Sequence, residues 1–417
     1  MAMASKQLCS PIFAIGMAIL ISACSEPGTT RAAETAQPAA QANKGEPLEA
    51  YRAELLDLAF DTAVTYPVNP HIKDRSRAQQ RVVEAALALD QPDLALEYLE
   101  DIRNWRRGLM YARLARYLSA QPNPPVRKIE ALLGLAEAHG RDPLQEWRTG
   151  RVYGAIAEAR AILGQVRKTQ EALDEADDIA VPMDASRAVA AATEADEFQK
   201  SLEQFDQIGD SGEYELQKAA IFGYVMLYDQ FYDNADRREL LTERVEAKGQ
   251  ALPPVIRFQA LIRMGNVALD HEDQQRALAL AEQAEQLKDE YRWPLDFDMP
   301  MEADLLKLRI RAGQEQSAAK QLVEALEIYE QKREQVQSFQ RAAILRPLAE
   351  VHALLDDEAA ALNAYRRVVE EGAVNPNRRP RTDDLVDTAV SMARYEVEPD
   401  DDLWATMRDI YRGLNDK

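Results

Sequence analysis

Apolar residues recur every three or four positions from residue 48 to the end of the chain, with polar residues between them. This spacing places the apolar side chains on one face of an α-helix. Ala, Leu, Glu, Gln and Arg dominate the same stretch, and each of them favours helix. The sequence lacks the alternating Val, Ile and Thr runs closed by Asn-Gly or Asp-Gly that are typical of β-hairpins. The pattern therefore predicts an all-α domain over residues 48–417.

Prolines and turn residues divide this domain into helical units that repeat with little sequence identity. Residues 97–104 resemble residues 203–210, and both resemble residues 282–289, at intervals of 106 and 79 residues. These intervals fit three and two copies of a unit of about 35–40 residues, a length that holds two helices. The domain is therefore predicted to be an array of helix pairs.

Small residues occur where two helices of such a unit would touch. In residues 261–294 they are Gly265 in the first helix and Ala277 and Ala284 in the second. A bulky side chain there would push the helices apart, and overpacking of this kind costs about 1–3 kcal/mol. Other units repeat the arrangement less completely, with turns expected at Gly164, Gly313 and Asp356.

This arrangement of small residues and turns resembles tetratricopeptide repeats. The resemblance implies a right-handed α-solenoid of stacked antiparallel helix pairs. Such solenoids present long concave surfaces that bind extended or helical segments of other proteins. The last predicted helix, residues 401–414, carries Trp404, Met407 and Tyr411 on one face, and we expect it to cap the final hydrophobic layer.

The N-terminus has a different pattern, in which Lys6 precedes an apolar run over residues 8–21. The run is shorter than the roughly 20 residues that span a bilayer, and it has the layout of a secretory signal peptide. It ends in Ile-Ser-Ala-Cys at positions 21–24, which resembles the lipobox of bacterial lipoproteins. The resemblance implies that residues 1–23 are removed and that lipid is attached to Cys24.

Residues 24–47 are rich in Ala, Thr, Gln, Pro and Gly and are predicted to be a flexible tether between the lipid and the folded domain. We therefore expect a protein of the bacterial cell envelope that is anchored to the bilayer through acylated Cys24. In enteric lipoproteins an aspartate after the lipidated cysteine causes retention at the inner membrane. By analogy, Ser25 favours the outer membrane, with the protein facing the periplasm.

The formal charge of −21 argues against a nucleic-acid partner, because phosphates need Lys and Arg for neutralisation. Both cysteines, Cys9 and Cys24, lie at the N-terminus, and lipid would block the one that the mature protein keeps. The sequence therefore predicts no disulfide, no catalytic thiolate and no thiolate metal site.

Motifs for catalysis are weak. Gly-Asp-Ser-Gly at positions 209–212 copies the nucleophile loop of chymotrypsin-like proteases, but it lies between two predicted helices and is expected to be a turn. No Gly-Lys-Ser/Thr phosphate loop and no His-Glu-x-x-His helix occurs. We therefore expect a protein without enzymatic activity, cofactor or metal. The four histidines are not closely spaced and are predicted to be surface or turn residues: His71, His139, His271 and His352.

Two basic clusters and one aromatic stretch are candidates for partner binding. Arginine and tryptophan are typical interface anchors, although each candidate also has a structural interpretation as a core residue or as a paired surface charge. We expect an envelope scaffold or adaptor that binds other proteins. The alternative is a receptor that binds a glycan or small ligand in a helical cleft. The candidate residues are Arg103, Trp105, Arg106, Arg107, Tyr228, Tyr232, Arg378 and Arg379.

Overall fold

The computed structural model describes residues 47–142, 146–176 and 182–415. Helices account for 81% of these residues, and none of them lies in a strand, which confirms the all-α prediction. Nineteen α-helices occur in the described residues. They are α1 (Ala50–Val64), α2 (Val68–Ala88), α3 (Pro92–Glu100), α4 (Arg106–Ser119), α5 (Val126–Gly140), α6 (Glu146–Ile162), α7 (Val166–Ala176), α8 (Pro182–Ala192), α9 (Phe198–Gly209), α10 (Tyr214–Gln230), α11 (Ala235–Gly249), α12 (Pro254–Asp270), α13 (Gln274–Asp289), α14 (Leu295–Arg311), α15 (Glu315–Lys332), α16 (Ser338–Leu354), α17 (Glu358–Ala373), α18 (Arg378–Arg394) and α19 (Asp401–Asn415).

Short turns join consecutive helices into antiparallel pairs, and the same turn recurs along the chain. Gly164, Gly313 and Asp356 adopt φ values of +68°, +77° and +55°, which confirms the turns predicted at these positions. The next residue donates its N–H to a carbonyl five residues earlier, as in Gln314 to Arg309 at 2.9 Å. This bond closes the helix end in the Schellman manner. The residues with positive φ in such turns are Asp90, Gly164, Glu272, Gly313, Asp356 and Glu396.

The helices form two concentric layers. Each even-numbered helix from α2 to α18 contacts the even-numbered helices on both sides of it, and α18 also contacts α2. Each odd-numbered helix from α3 to α17 instead packs between two consecutive even-numbered helices. The even-numbered helices therefore form a closed inner layer, and the odd-numbered helices surround it. The stacked helix pairs that the sequence predicts close into a ring.

The N-terminal helix completes this ring. Helix α1 packs between α18 and α2, in the position that an outer helix holds elsewhere. The Arg52 Nε atom donates to the Ala393 carbonyl at 2.8 Å. The Tyr66 hydroxyl donates to the Arg379 carbonyl, also at 2.8 Å. We call this junction of α1 and α2 with α18 the seam. Helix α19 packs outside it, on α1, α17 and α18, so it covers the junction as well as the last pair.

The hydrophobic core follows the ring. One cluster of buried side chains includes residues from both ends of the chain, among them Leu55 of α1 and Val386 of α18, each completely buried. A Cβ atom on Gly265 of α12 would lie 2.6 Å from a Leu308 methyl of α14. The close approach at Gly265 is therefore with the next inner helix, whereas the sequence pattern placed it within one helix pair.

The described residues contain no helix that is both long and apolar enough to cross a membrane. Cys24 and the predicted signal peptide and tether lie outside the described residues, apart from Pro47.

Candidate binding site

The inner helices all begin on the same face of the ring, because an outer helix running the other way separates each from the next. Contacts between helix starts agree with this. Gln340 at the start of α16 donates to Asp296 at the start of α14, at 2.7 Å. All five exposed aromatic side chains of the described residues lie at this face and are 41–49% exposed. We call them the aromatic rim: Trp147, Tyr214, Tyr291, Phe297 and Phe339.

The first basic cluster lies on this face, where α4 begins. Trp105 precedes α4 and is buried, and its ring meets that of Trp147 of α6 edge to face at 5.6 Å between centroids. The Arg106 guanidinium lies 4.6 Å from the centre of the Trp105 ring. The Arg151 guanidinium lies 5.7 Å from the same ring. Both distances are within the range of cation–π attraction.

Arg106 is fixed by polar contacts on its inner side. Its backbone N–H donates to Asn104 Oδ1 at 3.0 Å, and its Nε atom donates to Gln80 Oε1 at 2.9 Å. Only 8% of the residue is exposed. Within the described part of the chain no carboxylate forms an ion pair with Arg106, and its Nη atoms have no hydrogen-bond partner. These donors are therefore held in place without an acceptor.

Other arginines surround Arg106. Burial, together with the charges of Arg77, Arg151 and Arg148, lowers the pKa of Arg106 to about 10. Burial also lowers the pKa of Arg151. Arg148 pairs with Asp142 at 2.7 Å. The fold thus gathers positive charge from α2, α4 and α6 at one point on an acidic protein. We call this group the arginine–tryptophan cluster: Arg77, Trp105, Arg106, Trp147, Arg148 and Arg151.

Only the part of this cluster that is contiguous in the chain is recognisable from the sequence. Arg103, Trp105, Arg106 and Arg107 were candidates, whereas the contributions of α2 and α6 were not predicted. Arg103 is exposed beside α4. Arg107 points away from Trp105 and donates to the Tyr111 hydroxyl at 3.3 Å.

The second basic cluster lies at the seam. Arg378 donates to the Thr65 carbonyl at 3.0 Å, and Arg379 pairs with Asp74 at 2.9 Å. These contacts join the start of α18 to the turn after α1 and to α2. Both arginines are exposed, so they take part in the seam and their role in partner binding stays a prediction.

The aromatic stretch is core. Tyr228 is completely buried and Tyr232 is 4% exposed, with their rings edge to face at 5.3 Å. The Tyr232 hydroxyl donates to Asp273 at 2.9 Å, and its ring stacks on His271 at 4.3 Å. The two tyrosines considered for partner binding have no exposed face to offer, because neighbours of α10 cover them on every side.

A second polar group lies at the inner surface near the seam, and the sequence analysis missed it. A cavity of about 400 Å³ is lined by residues of α2, α14, α16 and α18, together with Tyr395 just after α18. Lys307 donates to Glu350, and Ser391 donates to the same carboxylate at 2.6 Å. Burial alone would lower the pKa of Lys307, but Glu350 outweighs it and the pKa is raised. Lys307 and Glu350 are therefore paired with each other.

Further pairing occurs between α2 and α18. Arg81 contacts Asp383 at 2.7 Å and Asp387 at 2.6 Å. Arg346 of α16 lies 3.5 Å from Asp387. Asp384, on the other side of α18, has a buried Oδ2 atom without a hydrogen-bond partner, and burial raises its pKa to about 7.

Other motifs have structural explanations. Gly212 lies in the turn between α9 and α10 with φ of +76°, as expected for a turn. His71 lies 3.5 Å from Asp74, and His139 stacks on Tyr111. Over the described ranges, no three His, Cys, Asp or Glu side chains come together in a way that would hold a metal ion.

No protein family matches the chain, and no curated protein matches it. Among solved structures it is similar to a "Circular tandem repeat protein with novel repeat topology and enhanced subunit contact surfaces". The sequence identity is 17%, over 87% of this chain and 94% of that chain, and the TM-score is 0.24. A TM-score of this size carries no argument, so the ring described above depends only on the contacts within this chain.

Proposed function

We propose that this protein is a non-enzymatic scaffold of the bacterial envelope, held at the outer membrane by lipid on Cys24 and facing the periplasm. Residues 24–47 would act as its tether, and the stacked helix pairs would follow a right-handed path. Its partners would be other envelope proteins. The helical-repeat fold is compatible with this role, since repeat arrays commonly bind protein segments over extended surfaces.

The observation that carries the proposal is the aromatic rim. Its five side chains come from α6, α10, α14, α16 and the segment before α14, so they extend around much of one face. Exposed apolar groups that recur on one face are typical of interaction sites, whereas scattered ones are ordinary surface. Aromatic side chains are also enriched among the residues that dominate binding energy at interfaces.

Site-specific cross-linking in intact cells tests the role of the rim. A photoreactive amino acid would replace Phe297 or Phe339 in one set of variants. Matched controls would place it at Val323 and Ile328 of outer helix α15, which are 54% and 37% exposed. We expect protein adducts at the rim positions only. Equal labelling at all four positions, or none at any, would contradict the scaffold proposal.

The anchor is tested separately. Cys24→Ser is expected to move the protein from the membrane fraction to the soluble envelope fraction while its circular dichroism spectrum stays helical. A variant that remains in the membrane fraction would contradict the lipid anchor but would leave the rim proposal untouched.

A further inference from the structure

We propose that the arginine–tryptophan cluster is a binding site for a sugar that carries a phosphate or carboxylate group. This site goes beyond the scaffold role. It returns to the receptor alternative considered from the sequence, with a defined location and ligand chemistry. Its failure would leave the scaffold proposal standing.

The site holds hydrogen-bond donors ready for an anion. Only 8% of Arg106 is exposed, and its Nε atom donates to Gln80, which leaves the Nη atoms without an acceptor in the described residues. A guanidinium binds the oxygens of a phosphate or carboxylate in a planar, bidentate manner. The contact with the Trp105 ring at 4.6 Å and the bond to Gln80 hold that guanidinium in place before any ligand arrives.

Local charge also favours an anion. Arg77, Arg148 and Arg151 all act electrostatically on Arg106, although Arg148 is itself paired with Asp142 at 2.7 Å. Arg106 has no carboxylate partner in the described residues, so a bound anion would offset the repulsion that it experiences. Although the whole chain has a charge of −21, screening limits its reach to about 8 Å at physiological ionic strength. The nearby arginines therefore dominate at the site.

A tryptophan side chain is exposed beside these donors. Trp147 is 41% exposed at the aromatic rim, next to Trp105. An exposed indole provides a flat apolar surface on which one face of a sugar ring can lie. Trp147 and Arg106 thus offer an apolar surface and an anion site side by side.

An anionic sugar fits this site better than an acidic peptide does. An anionic sugar supplies both an anionic group for the Arg106 donors and a ring face for the Trp147 indole. A peptide of acidic residues supplies carboxylates but has no ring face to lie on the indole. A neutral sugar would leave Arg106, which has no carboxylate partner in the described residues, without an anion.

The test is a titration of the full-length protein in detergent. Binding is measured by tryptophan fluorescence and by isothermal titration calorimetry. The probes are glucose 6-phosphate, glucuronate, glucose, inorganic phosphate and a short peptide of glutamates. We expect the two anionic sugars to bind at least tenfold more tightly than glucose or inorganic phosphate, and more weakly as sodium chloride is added. Equal binding of glucose, equal binding of inorganic phosphate, or tighter binding of the peptide would each overturn the assignment.

Variants locate the site. Arg106→Gln is expected to weaken binding of both anionic sugars at least tenfold. Arg106→Lys is expected to restore only part of the affinity, because a lysine ammonium lacks the planar shape and the paired N–H donors of a guanidinium. The matched control is Arg408→Gln. Arg408 also lies over a tryptophan, Trp404, at 4.7 Å, but it pairs with Glu54 at 3.3 Å. An equal loss in the control would overturn the proposal.

Misfolding of a variant would be visible as lost helical signal in circular dichroism. In that case Trp147→Phe provides a second test at an exposed position. We expect it to reduce the fluorescence response and the affinity for the anionic sugars while leaving inorganic phosphate unaffected. An unchanged titration with Trp147→Phe would contradict the site.

Discussion

The inner layer contains two regions whose charges are arranged in opposite ways. Near the seam, cations contact carboxylates: Lys307 contacts Glu350, and Arg81 contacts two aspartates of α18. At the starts of α2, α4 and α6, Arg106 has no carboxylate partner in the described residues and lies among three other arginines. Both regions are partly buried and both are built from neighbouring inner helices. They differ in that Lys307 and Arg81 contact carboxylates, whereas Arg106 does not, although its neighbour Arg148 pairs with Asp142.

This difference separates charges that maintain the fold from charges that are available for binding. A partly buried ion pair is costly to break, because removal of one partner leaves the other without compensation. A cluster of like charges does not stabilise the fold, so removal of one of its charges is not expected to cost stability. Positions that break a local rule in this way are typically functional. The comparison therefore predicts a stability cost at the seam and little or none at the arginine–tryptophan cluster.

The largest effect is expected for Arg81→Met. Its loss would leave Asp383 without its cation and Asp387 with only Arg346 at 3.5 Å, and the two aspartate side chains are 34% and 26% exposed. Fully buried pairs lose about 3–5 kcal/mol when one partner is removed, so this partly exposed pair should lose about 2 kcal/mol. Urea unfolding followed by circular dichroism measures it.

The control for Arg81→Met is Arg167→Met, which removes an exposed ion pair with Glu171 within α7. Exposed pairs of this kind contribute about 0.3–0.5 kcal/mol. A loss of the same size in both variants would show that the seam charges do not hold the ring closed.

A smaller, pH-dependent effect is expected for Asp384→Asn. The pKa of Asp384 is raised to about 7, against an ordinary value of 3.8. Between these values the folded protein keeps a proton that the unfolded chain has released, so stability falls as the pH rises through this window. One pKa unit corresponds to about 1.4 kcal/mol of unfolding free energy. Because relaxation of α18 would weaken the effect, we expect the total change in stability across this window to be about 1–2 kcal/mol.

The measurement is the free energy of unfolding of the wild type and of Asp384→Asn at several pH values from 5 to 8. We expect the variant to gain stability relative to the wild type as the pH rises. Any cost of burying the amide is the same at each pH and does not change this slope. Asp402→Asn, at an exposed position at the start of α19, is the matched control for a carboxylate-to-amide change outside the core. A flat difference for Asp384→Asn would contradict the raised pKa.

The sequence predicts the local part of this fold and not its closure. The turns at Gly164, Gly313 and Asp356 depend on a few adjacent residues, so they can be recognised from the chain. The seam joins residues that are far apart, such as Arg81 and Asp383, which are separated by 302 positions. No periodic pattern encodes such a pairing.

The candidate site could be predicted only in part for the same reason. Arg103 to Arg107 are contiguous and stand out on an acidic chain, but Trp147 and Arg151 join them through contacts between α4 and α6. Tyr228 was ambiguous in sequence because an inner helix is covered on several faces. Helix α10 contacts α8, α9, α11 and α12, so aromatic residues beyond its first turn, such as Tyr228, are buried, whereas Tyr214 at its start is exposed.

The smallest stability effect is expected for Arg106→Gln, and it is the sharpest test of the comparison. The substitution removes a stack on Trp105 and weakens the contact with Gln80, but it also removes the repulsion from Arg77, Arg148 and Arg151. A cation–π contact contributes about 0.5–1 kcal/mol at an exposed site and about 2 when desolvated, and the relief of repulsion offsets it. We therefore expect a change in unfolding free energy of less than about 1 kcal/mol. A loss as large as that of Arg81→Met in the same urea experiment would mean that both regions maintain the fold. The surplus of arginines would then have a structural cause.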